Sequence, residues 1–373
     1  MRRLIFVLWF SLVLMPTAQA QNSPPTAWMI DGSLWVSGQQ IADANTCCAL
    51  FSPSRSHLAY LETTDTQQTL IVLDVASPQQ PLLTLPAEAV APGSRLGYLA
   101  WQNDTLLWLN TFEWTGEYAP LARWDLWQVD VTTGNLTAFK QSGEGGVAVP
   151  SPDGTKFALA HPGTYAAEFA SIKIFDVSGA ELAYYEYPAI SSGSELAWLP
   201  VLQWVDESVR FAVPDANLVY STESLPPTML MELAPAGVRA LGEIRADFPA
   251  NVLWSPDGTQ AAYTRRKAAD ALETTSFVWN IIEQAETEIF SAQAFVSLIS
   301  WDAALVFYLP ESGELVFWTG QLQVYENVRD FVSLGDGTSW LVQGDYEHAQ
   351  ILYLDNGQLT PLAEVTGLVT LAR

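Results

Sequence analysis

From residue 27 onward the chain is a succession of short runs in which apolar and polar residues alternate, broken by turns carrying Gly, Asp, Asn or Pro. A period of two marks half-buried β-strands, because successive side chains of a strand point to opposite faces. The most regular runs come in pairs. "LIVLDVASPQQPLLTL" (70–85), "DLWQVDVTTGNLTAF" (125–139), "SIKIFDVSGAELAYY" (171–185) and "QILYLDNGQLTPLAE" (350–364) each read as strand, turn, strand. "ELVFWTGQLQVYEN" (314–327) is a shorter version of the same hairpin. Helical periodicity of any length is absent beyond the first twenty residues.

The hairpins belong to a longer repeat. Strand-like segments ending in a turn recur near Phe51, Trp101, Pro150, Trp204, Trp254, Trp301, Leu334 and Leu368, at intervals of 50, 49, 54, 50, 47, 33 and 34 residues. Four short strands per such unit predict an all-β fold, a β-propeller of four-stranded antiparallel blades. One blade cannot bury both of its faces, so blades must stack against each other around an axis. The ends of the chain predict how the ring closes. "TGLVTLAR" (366–373) has room for one strand, and "AWMIDGSLWVSGQQIADAN" (27–45) reads as three. One strand plus three make a blade shared between the termini. Eight blades are expected, with seven the alternative if the weakly patterned stretch 198–246 is misread. Residues 21–373 then form a single domain, with no linker or charge block to divide them.

"SPDG" occurs twice, at 151–154 and 255–258, and "FSPSRSHLAY" (51–60) is a worn copy. Its place after the first strand of a blade makes it a turn: Pro presets φ, Asp bonds its own backbone and Gly takes positive φ. Pro152, Asp153, Gly154, Pro256, Asp257 and Gly258 are therefore read as structural. The pattern around them, an aromatic before S-P-D-G and an apolar-Ala-apolar strand after it, resembles the TolB-type, WD-repeat-like propellers. It is similar also to the N-terminal propeller of the prolyl oligopeptidase and dipeptidyl peptidase family. The resemblance implies a propeller and little about activity. TolB-type proteins carry an α/β domain ahead of the propeller, and only about 30 residues lie between the leader and the first such turn here. The peptidases carry a G-x-S-x-G nucleophile elbow, and "GSRLG" (93–97) has the wrong spacing for one. The chain looks like the propeller alone.

The first twenty residues read as a secretory signal peptide: Arg2 and Arg3, an apolar run from Leu4 to Met15, and an A-x-A ending at Ala20. The run is too short for a comfortable membrane span, which takes roughly 20 residues. A periplasmic or extracellular protein is expected, a monomer or part of an envelope complex. Removing the leader moves the formal net charge from −25 to −27. Such a surface repels nucleic acid, whose binding needs clustered Lys and Arg. Its plain consequence is solubility.

Chemistry is hard to find. The three histidines, His57, His161 and His348, fall in different blades without ligand spacing, and no metal or cofactor motif is present. "DYEH" (345–348) reads as a solvated turn. Cys47 and Cys48 are the only cysteines; a regular strand would point them to opposite faces, so free buried thiols come first and a strained vicinal disulfide second. Three connections between second and third strands are enlarged, and long loops on a rigid scaffold are where binding resides. "NTFEWTGEYAPLARW" (110–124) offers Glu113, Trp114, Glu117, Tyr118 and Arg123. "HPGTYAAEFAS" (161–171) offers His161 and Tyr165. "TRRKAADALETTS" (264–276) holds Arg265, Arg266 and Lys267, the densest basic cluster. Trp114, Tyr118 and Tyr165 would suit an aromatic platform, unless Trp114 and Trp124 fold back over their own blade. The leading expectation is a non-enzymatic exported propeller that binds a protein, peptide or envelope polysaccharide on this long-loop face. The alternative is a carbohydrate-active enzyme, a glycan hydrolase or lyase using loop or channel carboxylates.

Overall fold

Eight antiparallel sheets make up the chain; in seven the first strand is the innermost and the last the outermost, and in the eighth the C-terminal strand takes the innermost place. The computed structural model describes residues 24–43, 45–64, 67–113, 121–163, 169–190, 198–214, 227–247, 251–267 and 271–373. Blades 1 to 7 are continuous in sequence, spanning 46–86, 94–140, 147–188, 203–245, 253–292, 297–325 and 328–365. Blade 8 joins the C-terminal strand Val369–Leu371 to Ala27–Ile30, Ser33–Val36 and Gln39–Ala42. Eight blades are therefore present, closed by one strand plus three as the sequence predicts. Blade 2 carries a short fifth strand, Leu121–Ala122, added to the end of Leu106–Glu113.

The ring is fastened in register. Trp28, Met29 and Ile30 pair with Leu371, Thr370 and Val369. The last two residues then cross to blade 1: Arg373 N–H donates to Ala49 O (3.1 Å), and Phe51 N–H donates to Arg373 O (2.6 Å). The sequence landmarks sit where expected. Phe51, Trp101, Pro150, Trp254 and Trp301 each end an inner strand. Trp204 lies one residue before the end of its strand, Leu334 one residue past the end of its own, and Leu368 precedes its strand, which ends at Leu371.

Apolar faces of neighbouring blades supply the core. Leu61, Leu70, Leu96 and Leu107 fill the seam between blades 1 and 2, and Leu230, Trp254 and Tyr263 fill the seam between blades 4 and 5. Between blades 2 and 3 the rings of Trp108, Phe139, Phe157 and Phe175 pack together, with centroids 4.6–5.5 Å apart. Polar groups stitch the inner strands across these seams. Trp101 Nε1–H donates to Leu50 O (3.1 Å), Trp204 Nε1–H to Val149 O (2.9 Å) and the Gln203 amide to Trp254 O (2.8 Å). Each stitch satisfies a backbone carbonyl that the sheet leaves unpaired at the channel edge.

Because strands alternate in direction, the turns between first and second strands and between third and fourth strands share one face of the ring. The connections between second and third strands, and between blades, share the other. The one helix among the described residues, Ala87–Val90, lies in the connection from blade 1 to blade 2.

Candidate functional site

The SPDG turns are closed from within. In the second, Ser255 Oγ–H donates to Asp257 Oδ1 (2.6 Å), and Thr259 donates from its backbone N–H (3.0 Å) and its hydroxyl. The first repeats this with Ser151, Asp153 and Thr155. These donors favour the anion, holding Asp257 below the usual carboxylate range and Asp153 down at about 2. Gly258 has φ +66°, and a Cβ there would meet Val205 Cγ1 at 2.5 Å. The turn thus presses against the blade before it, and only glycine fits. Arg210 completes that seam, paired with Glu232 (2.5 Å) and donating to Gly258 O (3.3 Å).

The same turn forms one wall of an open cleft of about 550 Å³ between blades 5 and 6. Ser255, Pro256, Asp257 and Gln260 line the blade 5 side; Trp301, Ala303, Trp318, Thr319 and Gly320 line the blade 6 side. Trp301 and Trp318 both pair with Leu305 of the strand between them, so all three side chains lie on one face of blade 6. That face turns toward blade 5, where the two indoles also pack on the seam of Ala262, Val278 and Leu298. Both indoles are half-buried, and the turns beside them bring Ala303, Thr319 and Gly320 to the cleft. Next to Trp301, Asp302 accepts a hydrogen bond from the Ser333 hydroxyl of blade 7. The cleft runs outward from the end of an inner strand, on the face opposite the enlarged connections.

The sequence-predicted residues are not gathered there. Each cation of the basic trio has its own carboxylate: Arg265 with Glu286 (2.7 Å), Arg266 with Asp247 (3.4 Å) and Lys267 with Glu273 (3.2 Å). Arg265 also lies 4.1 Å over the Phe277 ring. Glu113 and Arg123 form a loose pair at 3.6 Å. His161 donates from Nε2–H to Gly143 O and accepts at Nδ1 from Gly163 N–H, both at 3.1 Å. Both ring nitrogens are thus committed to backbone, and burial pushes its pKa down, so the ring is neutral. Trp114, Glu117, Tyr118 and Tyr165 lie outside the described residues. Trp124 stacks on Tyr98 of its own blade, with centroids 6.5 Å apart.

Four inner strands carry bulges that the alternating pattern does not reveal. Pairing skips from Cys47 to Leu50, from Gly97 to Ala100, from Leu298 to Ser300 and from Val328 to Asp330. Cys48, Tyr98, Ile299 and Arg329 are thereby left out of the ladder on the strands bordering the channel. Bulges of this kind re-aim side chains. Cys48, Tyr98 and Ile299 are exposed, and the Arg329 guanidinium lies 3.5 Å over the ring of Tyr346. Cys47 and Cys48 do not point apart: the bulge, with Cys48 at φ +62°, brings their sulfurs to 2.7 Å, both thiols free. Cys48 is exposed rather than buried, which corrects the expectation of two buried thiols.

No protein-family model matches the chain, and no curated protein matches it. Solved structures do. The β-propeller domain of the trilobed protease from Pyrococcus furiosus, described as having an open velcro topology, superposes with a TM-score of 0.54 at 11% identity, over 85% of this chain and 97% of that one. The dihydro-haem d1 dehydrogenase NirN gives a TM-score of 0.55 at 10% identity, over 94% and 76%. The acylaminoacyl peptidase of Pyrococcus horikoshii gives 0.50 at 12% identity; this chain covers 50% of it. The likeness is one of fold. It includes propellers of peptidases, as the SPDG resemblance implies, and it corrects one expectation. The reading of a non-enzymatic binder rested on the lack of a catalytic motif, yet propellers of this form occur in a protease, a peptidase and a dehydrogenase. A missing motif therefore does not argue against catalysis.

Proposed function

We propose that the protein is a carbohydrate-active enzyme that hydrolyses a glycan held in the cleft between Trp301 and Asp257. The cleft itself carries this reading: two indoles in register on one wall, opposed by hydroxyl, amide and carboxylate groups on the other. A sugar ring offers an apolar face of C–H bonds and an edge of hydroxyls. Indole faces suit the first, and Ser255, Asp257, Gln260 and Thr319 suit the second. Two indoles separated by one intervening strand stand roughly 9–10 Å apart. That spacing suits alternate residues of a linear glycan better than a single sugar.

Hydrolysis of a glycosidic bond uses two carboxyl groups, one ionised and one that carries the proton. Asp257 faces the cleft and its hydroxyl and N–H donors hold it ionised. Asp302, next to Trp301, is turned instead toward Ser333 of blade 7, whose hydroxyl donates to it. The likeness of the SPDG turns to TolB-type propellers supports the fold and adds no activity. An exported location, read from residues 1–20, fits a substrate in the envelope or outside the cell.

The test is incubation of the full chain with a panel of neutral and acidic polysaccharides, with products resolved by chromatography and mass spectrometry. New reducing ends carrying one added water support the reading. Products with an unsaturated sugar at the new end would replace hydrolysis by elimination, and no product from any member of the panel would overturn it.

A further inference from the structure

We propose that Cys47 and Cys48 form a redox-active dithiol that exchanges with low-molecular-weight disulfides at the edge of the central channel. This stands apart from the cleft and rests on different observations. Adjacent residues in a regular strand point to opposite faces. Here the ladder between Thr46–Phe51 and His57–Thr63 breaks after Cys47 and resumes at Leu50, and Cys48 adopts φ +62°. A side chain in the left-handed region costs about 1–2 kcal/mol, so the surrounding structure must hold it there. What that conformation achieves is to set the two sulfurs 2.7 Å apart on the innermost strand of blade 1. Strained backbone of this kind gathers at functional positions.

The two thiols are unlike. Cys48 is exposed, whereas Cys47 is half-buried and packs on the seam between blades 1 and 2. The neighbouring Cys47 thiol lowers Cys48 to about 7, and Cys48 together with burial pushes Cys47 up. Cys48 is therefore the attacking thiolate and Cys47 the resolving thiol. The Cys48 thiolate attacks one sulfur of the external disulfide, whose S–S bond breaks. The leaving thiolate departs with the bonding pair and takes up a proton. Cys47 then loses its proton to solvent and attacks the Cys48 sulfur, expelling the second thiolate. The protein dithiol is oxidised by two electrons to a vicinal disulfide, and the external disulfide is reduced to two thiols.

The experiment treats the reduced full chain with oxidised glutathione and follows intact mass. The expected product has lost two hydrogens, carries no glutathione and has released two glutathione thiols per chain. Cys47→Ser should stop at a mixed disulfide on Cys48, and Cys48→Ser should react at least about tenfold more slowly. Brief alkylation of wild type with iodoacetamide, followed by peptide mapping, should label Cys48 before Cys47, and needs no variant to fold. Glutathione persisting on wild type, equal labelling of the two thiols, or no reaction would each overturn the proposal.

Discussion

Trp301 and Trp318 stand on the same face of blade 6, each paired in register with Leu305 of the strand between them. The neighbouring turns bring Ala303, Thr319 and Gly320 to the cleft beside them. If the cleft holds a glycan, Trp301→Ala and Trp318→Ala should each weaken binding of a retained oligosaccharide about tenfold or more, equivalent to 1.4 kcal/mol. Calorimetric titration reads this. Tyr98→Ala, on the opposite side of the ring in sequence and outside the cleft, should leave the affinity unchanged.

Gly258 sits at φ +66° with Val205 Cγ1 2.5 Å from where a Cβ would be. Gly258→Ala carries both the left-handed penalty and a steric one, and should cost about 2–4 kcal/mol. Gly143, at φ +83° with nothing within 4 Å, carries only the first. Gly143→Ala should cost about 1–2 kcal/mol. Denaturant midpoints of the two variants, compared at equal slope, separate the terms.

The acidic turns predict how stability depends on pH. Asp153 is held at about 2 by Ser151 and Thr155, below its unfolded value. A carboxylate depressed on folding stabilises fully above the unfolded value of about 3.9 and loses that contribution as pH falls toward 2. Asp257 and Asp336 are depressed in the same direction by the same kind of donors. Urea midpoints should therefore fall between about pH 4 and pH 2, and Asp153→Asn, which retains the turn-forming side chain, should flatten the lower part of that curve.

Arg266 and Lys267 are neighbours with unequal partners. Asp247 beside Arg266 has a side chain only 2% exposed, whereas Lys267 is 72% exposed. Arg266→Ala leaves a buried carboxylate with the backbone N–H of residue 266 but without its guanidinium, and should destabilise by about 1–3 kcal/mol. Lys267→Ala should change stability by less than about 0.5 kcal/mol. Thermal unfolding of the two variants distinguishes them.

The fold was legible because its signals are local and repeated. Phe51, Trp101, Trp254 and Trp301 end inner strands at near-constant intervals, and each hairpin shows its own alternation. Even the shared blade could be read, since "SLWVSGQQIA" and "ELVFWTGQLQ" are alike. The site was not legible in the same way. Trp301 and Trp318 are seventeen residues apart and look like ordinary strand ends. Only the register through Leu305 puts them side by side. The pairing of the basic trio was hidden as well. Glu286 and Asp247, which neutralise Arg265 and Arg266, come from other strands and connections, and composition cannot show pairing. Bulges were invisible too, because Cys48 and Arg329 interrupt the alternation by a single position.

The most direct test of the enzymatic reading is release of reducing ends by wild type and by Asp257→Asn from a polysaccharide that both retain. Wild type should release them, and the variant should be slower by roughly 10²–10⁴-fold while binding equally well, because a positioned carboxylate contributes that much. Equal rates for the two proteins, or no release by wild type, would contradict the assignment.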